Sequence, residues 1–364
     1  GHEVGGRVCV VLGAGPRGPV AADLVADGPH LLVEGPSGSG RTELLRAVVA
    51  SLAAAERPDR LGIVLVDGRA GTTGGGPGNG PGDGQVDGLR VCTDVPHVTT
   101  HLSANDPVRM REFAQSLSAE LKRRAELLGR SDFVEWHTGR ELSDRMVAQR
   151  TAAPRGPAAA GGGHSGGGHS GGDLEAPPSS TLRLRPGAAR LRAQAPPPLP
   201  RLVVVVDDLD ALVSPALGSP GRPAAGSVLR ALEAVAREGE RLGVHLVSAT
   251  GSCARTTESE PVRRAALRVT LDAPVPGRGA APPFEPNRES GGEPAPGRGR
   301  LAHADGRVTV FQGGRVTGRI PRTATLRPTV VPLEWHRMGD PPARRPVREL
   351  GNGPTDLALL ASAL

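Results

Sequence analysis

The 364-residue chain has no tyrosine, and its only lysine is Lys122. Four phenylalanines and two tryptophans bring the aromatic share to 2%. A surface that stacks successive bases of single-stranded nucleic acid needs more rings than this. Cysteine is as sparse: Cys9, Cys92 and Cys253 lie far apart and form no CxxC. That excludes a disulfide scaffold and a zinc site and suits a reducing compartment. No run approaches the ~18 uninterrupted apolar residues that a membrane-spanning helix needs. Hydrophobic residues make up only 37%. The 52 glycines and 36 prolines account for most of that deficit, so part of the chain is expected to be loop.

The formal net charge is +6 and the pI about 10.5, carried almost wholly by arginine. Such a balance permits nucleic acid, acidic proteins or membrane surfaces as partners and selects none of them. The chain opens on Gly1 and is expected to be a processed product or an excerpt of something longer.

Several segments carry a clear periodicity. Arg7 to Leu12 is apolar and β-branched and reads as a strand, Gly13 to Gly18 as a turn, and Pro19 to Leu24 as a return strand. His30 to Glu34 (HLLVE) is a short strand. Thr42 to Ala55 has helical spacing at Leu44, Leu45, Val48, Val49 and Leu52. Leu61 to Val66 reads as a strand ending at Asp67, and Leu89 to Cys92 as a short strand. A long helix is expected over Asp106 to Leu128, its stripe being Met110, Phe113, Leu117, Leu121, Ala125 and Leu128. The helical region continues over Phe133 to Gln149.

Leu202 to Val206 is a buried strand, Ala225 to Glu240 a helix, and Gly243 to Ala249 and Ala265 to Leu271 are strands. Pro274 to Gly299 reads as loop, Gly306 to Phe311 with Arg315 to Ile320 as a terminal hairpin, and Pro341 to Pro354 as a linker. Apolar strands alternating with helices predict an α/β fold with a mostly parallel sheet covered on both faces.

Two words carry chemistry. The first is Gly35-Pro36-Ser37-Gly38-Ser39-Gly40-Arg41-Thr42, between a strand and a helix. Its glycines let the backbone wrap an oxyanion, and the amides and helix N-terminus supply positive potential to phosphate. Thr42 is placed to hold Mg²⁺ through its hydroxyl. Arg41 stands where this P-loop motif has lysine; it keeps the charge but is longer, planar and forked. The second word is VVVVDDLD, Val203 to Asp210. A buried strand ending in an acid sets Asp207 beside the P-loop as a Mg²⁺ ligand, and Asp208 as a base for the attacking water, though a short one.

Other candidates are weaker. Gly13-x-Gly15-x-x-Gly18 matches a dinucleotide fingerprint on paper, but Pro16 and Pro19 interrupt the helix that fingerprint requires. His164 and His169 sit in GGGHSGGGHSGG and read as passengers in low-complexity sequence. His245 lies inside a strand and reads as packed. No nucleophile triad can be assembled.

Longer words make a family likeness specific. They are ADGPHLLVEGPSGSGRTELLRAVVASLA (Ala26 to Ala53), PDRLGIVLVDGRAG (Pro58 to Gly71), LPRLVVVVDDLDAL (Leu199 to Leu212) and AREGERLGVHLVSAT (Ala236 to Thr250). PGRGRL (Pro296 to Leu301) and VTVFQGGRVTG (Val308 to Gly318) complete the set. On these the chain resembles the motor domain of the FtsK/SpoIIIE family, especially the ATPase domains of EccC-like proteins in type VII secretion. The resemblance implies a RecA-like P-loop fold of the ASCE type that binds ATP with Mg²⁺. FtsK and SpoIIIE work as hexameric rings on double-stranded DNA; EccC proteins help export folded proteins, and their membrane helices lie outside the matched region.

The resemblance also marks departures. Arg41 replaces the family lysine, Asp208 the glutamate after the Walker B aspartate, and Gly251 the glutamine after the sensor strand's Ala249 and Thr250. Asp67 matches the aspartate of an Asp-Phe-Lys segment whose partners are here Gly68 and Arg69. The implied role is a degenerate, regulatory copy with slow or absent hydrolysis. On this reading it is a cytoplasmic module of a secretion translocase, held at the inner face of the membrane by segments outside this chain, with other ATPase modules as partners. The alternatives are a double-stranded DNA motor and a pseudo-ATPase interaction module. Thr250 is a candidate sensor, and Arg264 and Arg268 are candidates for a subunit interface or ordinary surface arginines. The expected organisation is a β lead-in at 1–29, the P-loop half at 30–150, a disordered Gly/Pro/Ser-rich insertion at 151–200, the Walker B half at 201–320, and a linker with the start of a further helix at 321–364.

Overall fold

The computed structural model describes residues 8–68, 88–152, 199–214, 222–251, 253–273, 296–319 and 353–364, with short pieces at 322–323, 336 and 349–350. Residues 1–136 and 200–364 form one compact unit, and His137–Leu199 a second. The second unit is described only for a helical stretch to Ala152 and for Leu199, whose carbonyl lies 2.9 Å from His137 Nε2. The expected insertion, with His164 and His169, and most of the Pro274 to Gly299 and Pro341 to Pro354 segments lie outside the described residues.

The first unit is a ten-stranded sheet. Its strands are β1 (Cys9–Gly15), β2 (Gly18–Asp23), β3 (His30–Glu34), β4 (Leu61–Asp67), β5 (Val98–Ser103), β6 (Arg201–Asp207), β7 (Val244–Thr250), β8 (Leu267–Leu271), β9 (Arg298–Ala302) and β10 (Val308–Gly313). They run in the order β2-β1-β10-β9-β8-β3-β7-β6-β4-β5. From β8 to β5 every pairing is parallel; from β8 back to β2 every pairing is antiparallel. The strand after the P-loop helix does not pair with β3, because β7 and β6 come between them. This is the RecA-like P-loop order, a mostly parallel sheet flanked by helices.

Burial follows from that order. All positions of β4 and β7 are buried, because helices cover both faces. Helix α1 (Arg41–Ala55) packs on one face with Leu45, Val48, Val49 and Leu52 fully buried. Helices α2 (Pro107–Leu128) and α5 (Arg222–Leu242) pack against each other on the other. The antiparallel strands alternate instead. On β10, Phe311 is buried while Val308 and Val310 are exposed, since only one face meets the core.

Three helix signals are physical caps. Asp106 accepts from the amides of Val108 (2.8 Å) and Arg109 (3.3 Å), Pro107 fills the first turn, and Gly129 ends α2 at φ 59. The buried stripe of α2 includes Arg124, where the sequence suggested its neighbour Ala125. Arg124 is 1% exposed, and its guanidinium donates to the carbonyls of Leu242 (3.0 Å) and Pro200 (2.8 Å) and to Glu120 (2.8 Å). A buried arginine is tolerable only with such a full set of acceptors.

Three expectations are corrected. Leu89 to Cys92 is not a strand: it is a turn of 3₁₀ helix over Arg90–Cys92, closed by the Cys92 amide on Leu89 carbonyl at 2.9 Å. The strand in that region is β5, whose polar word VTTHLS hides an edge position where few side chains meet the core. Gly13 and Gly15 belong to β1, and a Cβ at Gly13 would lie 2.0 Å from the Gln312 carbonyl oxygen of β10; the glycines serve a close strand approach. The terminal hairpin is β9 with β10, turned at Gly306 (φ 84), whereas Arg315 to Arg319 makes only a single bridge, from Arg319 to Thr355. After that bridge, α8 (Asp356–Ala363), capped by Thr355, places Leu357 in the core that contains α1.

His30 and His245 are both buried between β3 and β7. His30 Nδ1 accepts the Leu246 amide at 3.0 Å, so Nε2 carries the proton and donates to Ala236 carbonyl at 3.2 Å. His245 donates from Nδ1 to Pro29 carbonyl at 3.0 Å, leaving Nε2 to accept from Arg201 at 3.3 Å. Burial pushes His30 down from 6.5 to about 4 and His245 down to about 3. In the native state both stay neutral below the pH at which the unfolded chain takes up protons. Stability is therefore fully present above about pH 6.5 and is lost as pH falls toward 4, with a slope of up to ~1.4 kcal/mol per pH unit for each histidine. Urea titrations at pH 7, 6 and 5 should show this fall; a stability unchanged between pH 7 and 5 would contradict the buried neutral pair.

Candidate functional site

The site is assembled at the C-terminal ends of β3, β4, β6 and β7. Strand β3 ends at Glu34, and Gly35 donates its amide to Thr250 carbonyl of β7 at 3.3 Å. Pro36, Ser37 and Gly38 face solvent, and Ser39 turns inward with 0% exposure. Two positions require glycine: Gly38 has φ 80 and Gly40 has φ 97. Gly40 also starts α1 and accepts the Leu44 amide at 2.9 Å. The turn at Gly297 presses on this loop, with its amide donating to Ser39 carbonyl at 2.8 Å and its backbone nitrogen 3.1 Å from a Cβ placed on Gly40. The β9–β10 hairpin thus braces the loop from outside.

Thr42, on the first turn of α1, donates from Oγ1 to Asp207 Oδ2 at 2.7 Å. Asp207 is the last residue of β6, and burial raises its proton affinity, opposed by the Thr42 hydrogen bond and reinforced by the nearby carboxylates of Asp67 and Asp208. Asp67 ends β4 in register with Asp207. Its carboxylate accepts the Leu89 amide at 2.9 Å and sits 2.7 Å from His101 Nε2. A Cβ on Gly88 would fall 2.5 Å from that carboxylate. Asp67 therefore anchors the segment at 88–89 and strand β5.

Asp208 has φ 54 and is the only non-glycine residue with positive φ among the described residues. Its left-handed turn lets the chain leave β6 and enter α4 (Leu209–Val213) at once. The turn leaves no room beside it: a Cβ on Gly68 would stand 2.2 Å from Asp208 carbonyl oxygen.

Asp210, the third acid of DDLD, carries a role that sequence reasoning missed. Asp210 accepts from Thr250 Oγ1 at 2.8 Å and from the Gly251 amide at 2.5 Å. Burial alone would raise its pKa, but hydrogen bonding from Thr256 first, then from the Gly251 amide, Thr250 and the Cys253 backbone, outweighs it and holds the carboxyl below the usual range. The hydroxyl of Thr250, the candidate sensor, is thus engaged inside the fold, at 0% exposure. The signal for Asp210 was its placement on the first turn after the acidic strand, facing back toward the end of β7.

Arg41 lies between these parts. Its Nη1 is buried without a hydrogen-bond partner and comes within 3.1 Å of a Cβ placed on Gly251. Ser39 Oγ is likewise buried and unpartnered. Two orphaned donors on one loop are what a bound oxyanion would satisfy. The interface candidates sit apart from this cradle. Arg264 is tied to Glu260 at 2.5 Å, and Arg268 donates to Val262 carbonyl at 2.6 Å and lies 3.8 Å from Glu34. Among the described residues no helix is long and apolar enough to cross a membrane.

The FtsK/SpoIIIE family model matches residues 2–76, which contain the whole P-loop. No curated protein sequence matches the chain. Among solved structures the chain is similar to the cytoplasmic domain of the type VII secretion ATPase EccC of Thermomonospora curvata, at 21% identity and a TM-score of 0.53, covering 88% of this chain and 30% of that one. It is also similar to ATPases 2 and 3 of Thermomonospora curvata EccC in complex with a signal sequence peptide (16% identity, TM-score 0.46, 86% of this chain and 41% of that one). A third is EssC (ATPases 2 and 3) of Geobacillus thermodenitrificans (13% identity, TM-score 0.47, 84% and 44%). The chain spans less than half the length of each of these.

Proposed function

We propose that this FtsK/SpoIIIE-family P-loop domain binds ATP with Mg²⁺ and serves as a nucleotide-responsive module of a protein-secretion translocase, with very slow or absent hydrolysis. The observation that carries the reading is the Thr42–Asp207 hydrogen bond at the foot of a loop with two unpartnered donors. The amides of Ser37, Gly38 and Gly40 to Thr42 and the N-terminus of α1 would face the phosphates, while the Gly35 and Ser39 amides stay bonded to Thr250 and Pro36 carbonyls. Ser39 Oγ and the Arg41 guanidinium donate to phosphate oxygens, and Thr42 with Asp207 holds the cation. Mg²⁺ held there would neutralise phosphate charge and offset the burial that disfavours the charged form of Asp207.

Slow hydrolysis follows from the residues that face the terminal phosphate. Phosphoryl transfer is catalysed by positioning and electrostatics. Asp208 is one methylene shorter than a glutamate, Thr250 spends its hydroxyl on Asp210, and Gly251 has no side chain to place a water. The partners on this reading are neighbouring ATPase modules, in a ring that is hexameric if it follows the family pattern, in the cytoplasm at the inner face of the membrane. The substrate is a secreted protein rather than double-stranded DNA, since the sequence holds no concentrated basic run of the kind a DNA track requires.

Titration calorimetry with Mg²⁺-ATP should give saturable heat in the micromolar-to-millimolar range that disappears in Thr42→Ala. Absence of heat and of competition with a fluorescent ATP analogue would remove the nucleotide reading. A phosphate-release assay should show negligible turnover for the wild type and a rise of about tenfold or more for Arg41→Lys combined with Asp208→Glu. Brisk wild-type turnover would show that these residues are no impediment.

A further inference from the structure

We infer that Arg41 and Gly251 form one matched pair, in which the missing side chain at 251 makes the space that the arginine head group fills. The inference rests on the nucleotide reading for its consequence but on packing for its content. Glycine at 251 is not demanded by the backbone, because Gly251 is not among the residues with positive φ, unlike Gly38 and Gly40. What it lacks is volume. The nearest atom to a Cβ there is Arg41 Nη1 at 3.1 Å, tighter than ordinary van der Waals contact, followed by Asp210 Oδ2 at 3.4 Å. The same Nη1 is buried and unpartnered, so it is held against the end of β7 by shape and not by a protein acceptor. The Gly251 amide is already committed to Asp210, which fixes the peptide over which the guanidinium lies.

A larger residue at 251 therefore displaces the guanidinium from its seat, whereas a lysine at 41, slimmer and without the fork, leaves room for one. Two of the three departures at this site are then a single exchange: a forked cation on the P-loop with a bare strand end beneath it. Arg41 is a positioned phosphate donor in its own right, and Gly251 is a positioning residue that acts through it.

The test is a double-mutant cycle of the wild type, Gly251→Gln, Arg41→Lys and the double variant, read twice. The first reading is the melting temperature without nucleotide. Gly251→Gln should lower it by about 2–4 °C beside Arg41 and leave it nearly unchanged beside Lys at 41. Additive changes overturn the pairing, whatever the nucleotide does. The second reading is affinity for a fluorescent ATP analogue with Mg²⁺. Gly251→Gln should weaken binding roughly tenfold in the Arg41 protein and much less in the Arg41→Lys protein. Equal losses in both backgrounds also overturn the pairing. A coupled melting temperature in a protein that binds no nucleotide would support the pair and defeat the proposed function alone.

Discussion

The hydrogen bond from Thr42 to Asp207 is the contact on which the site depends, because it joins two segments 165 residues apart. Neither residue can reach the other unless β6 and β7 stack beside β3 in the observed order. The bond is worth about 0.5–3 kcal/mol, a modest fraction of domain stability. Its larger role is geometric. It fixes the first turn of α1 against the end of β6, and with it the height of the whole loop above the sheet. The β9–β10 hairpin holds the other side through Gly297 and Ser39.

Three carboxylates converge here, and the fold assigns each a different fate. Asp67 is consumed by an amide and His101, and Asp210 by Thr250 and Gly251. Asp207 keeps one neutral hydroxyl donor, and burial works against its charge. Of the acids at the strand ends, it is the one whose environment a divalent cation would improve most. Arg41 matters for the same reason: its charge favours the ionised form of Asp207, yet one of its nitrogens has no protein acceptor.

Much of this fold was legible in the sequence because the parallel strands are buried on both faces and so read as unbroken apolar words. His30–Glu34, Leu61–Asp67 and Arg201–Asp207 fall where HLLVE, LGIVLV and LVVVV place them. Asp106 and Pro107 announce α2 by capping chemistry. What escaped were elements whose order comes from neighbours. The VTTHLS strand is polar because it is an edge, and PGRGRL pairs as β9 although its composition reads as loop. Arg124 looks like surface until the carbonyls of Pro200 and Leu242 arrive from distant segments. In the site, the P-loop and acidic strand were legible as words. The link from Asp210 to Gly251 was not, since it depends on β7 lying beside β6, which no local pattern states.

Hydrogen exchange at the amides of residues 37–42 and at the end of β6, with and without millimolar Mg²⁺-ATP, reads both halves of the site at once. Exchange should slow at both segments together, because Thr42 and Asp207 would hold the cation while the free loop amides would take up the phosphates. Exchange that is unchanged at both, or slowed in the loop alone with the end of β6 indifferent to Mg²⁺, would contradict it.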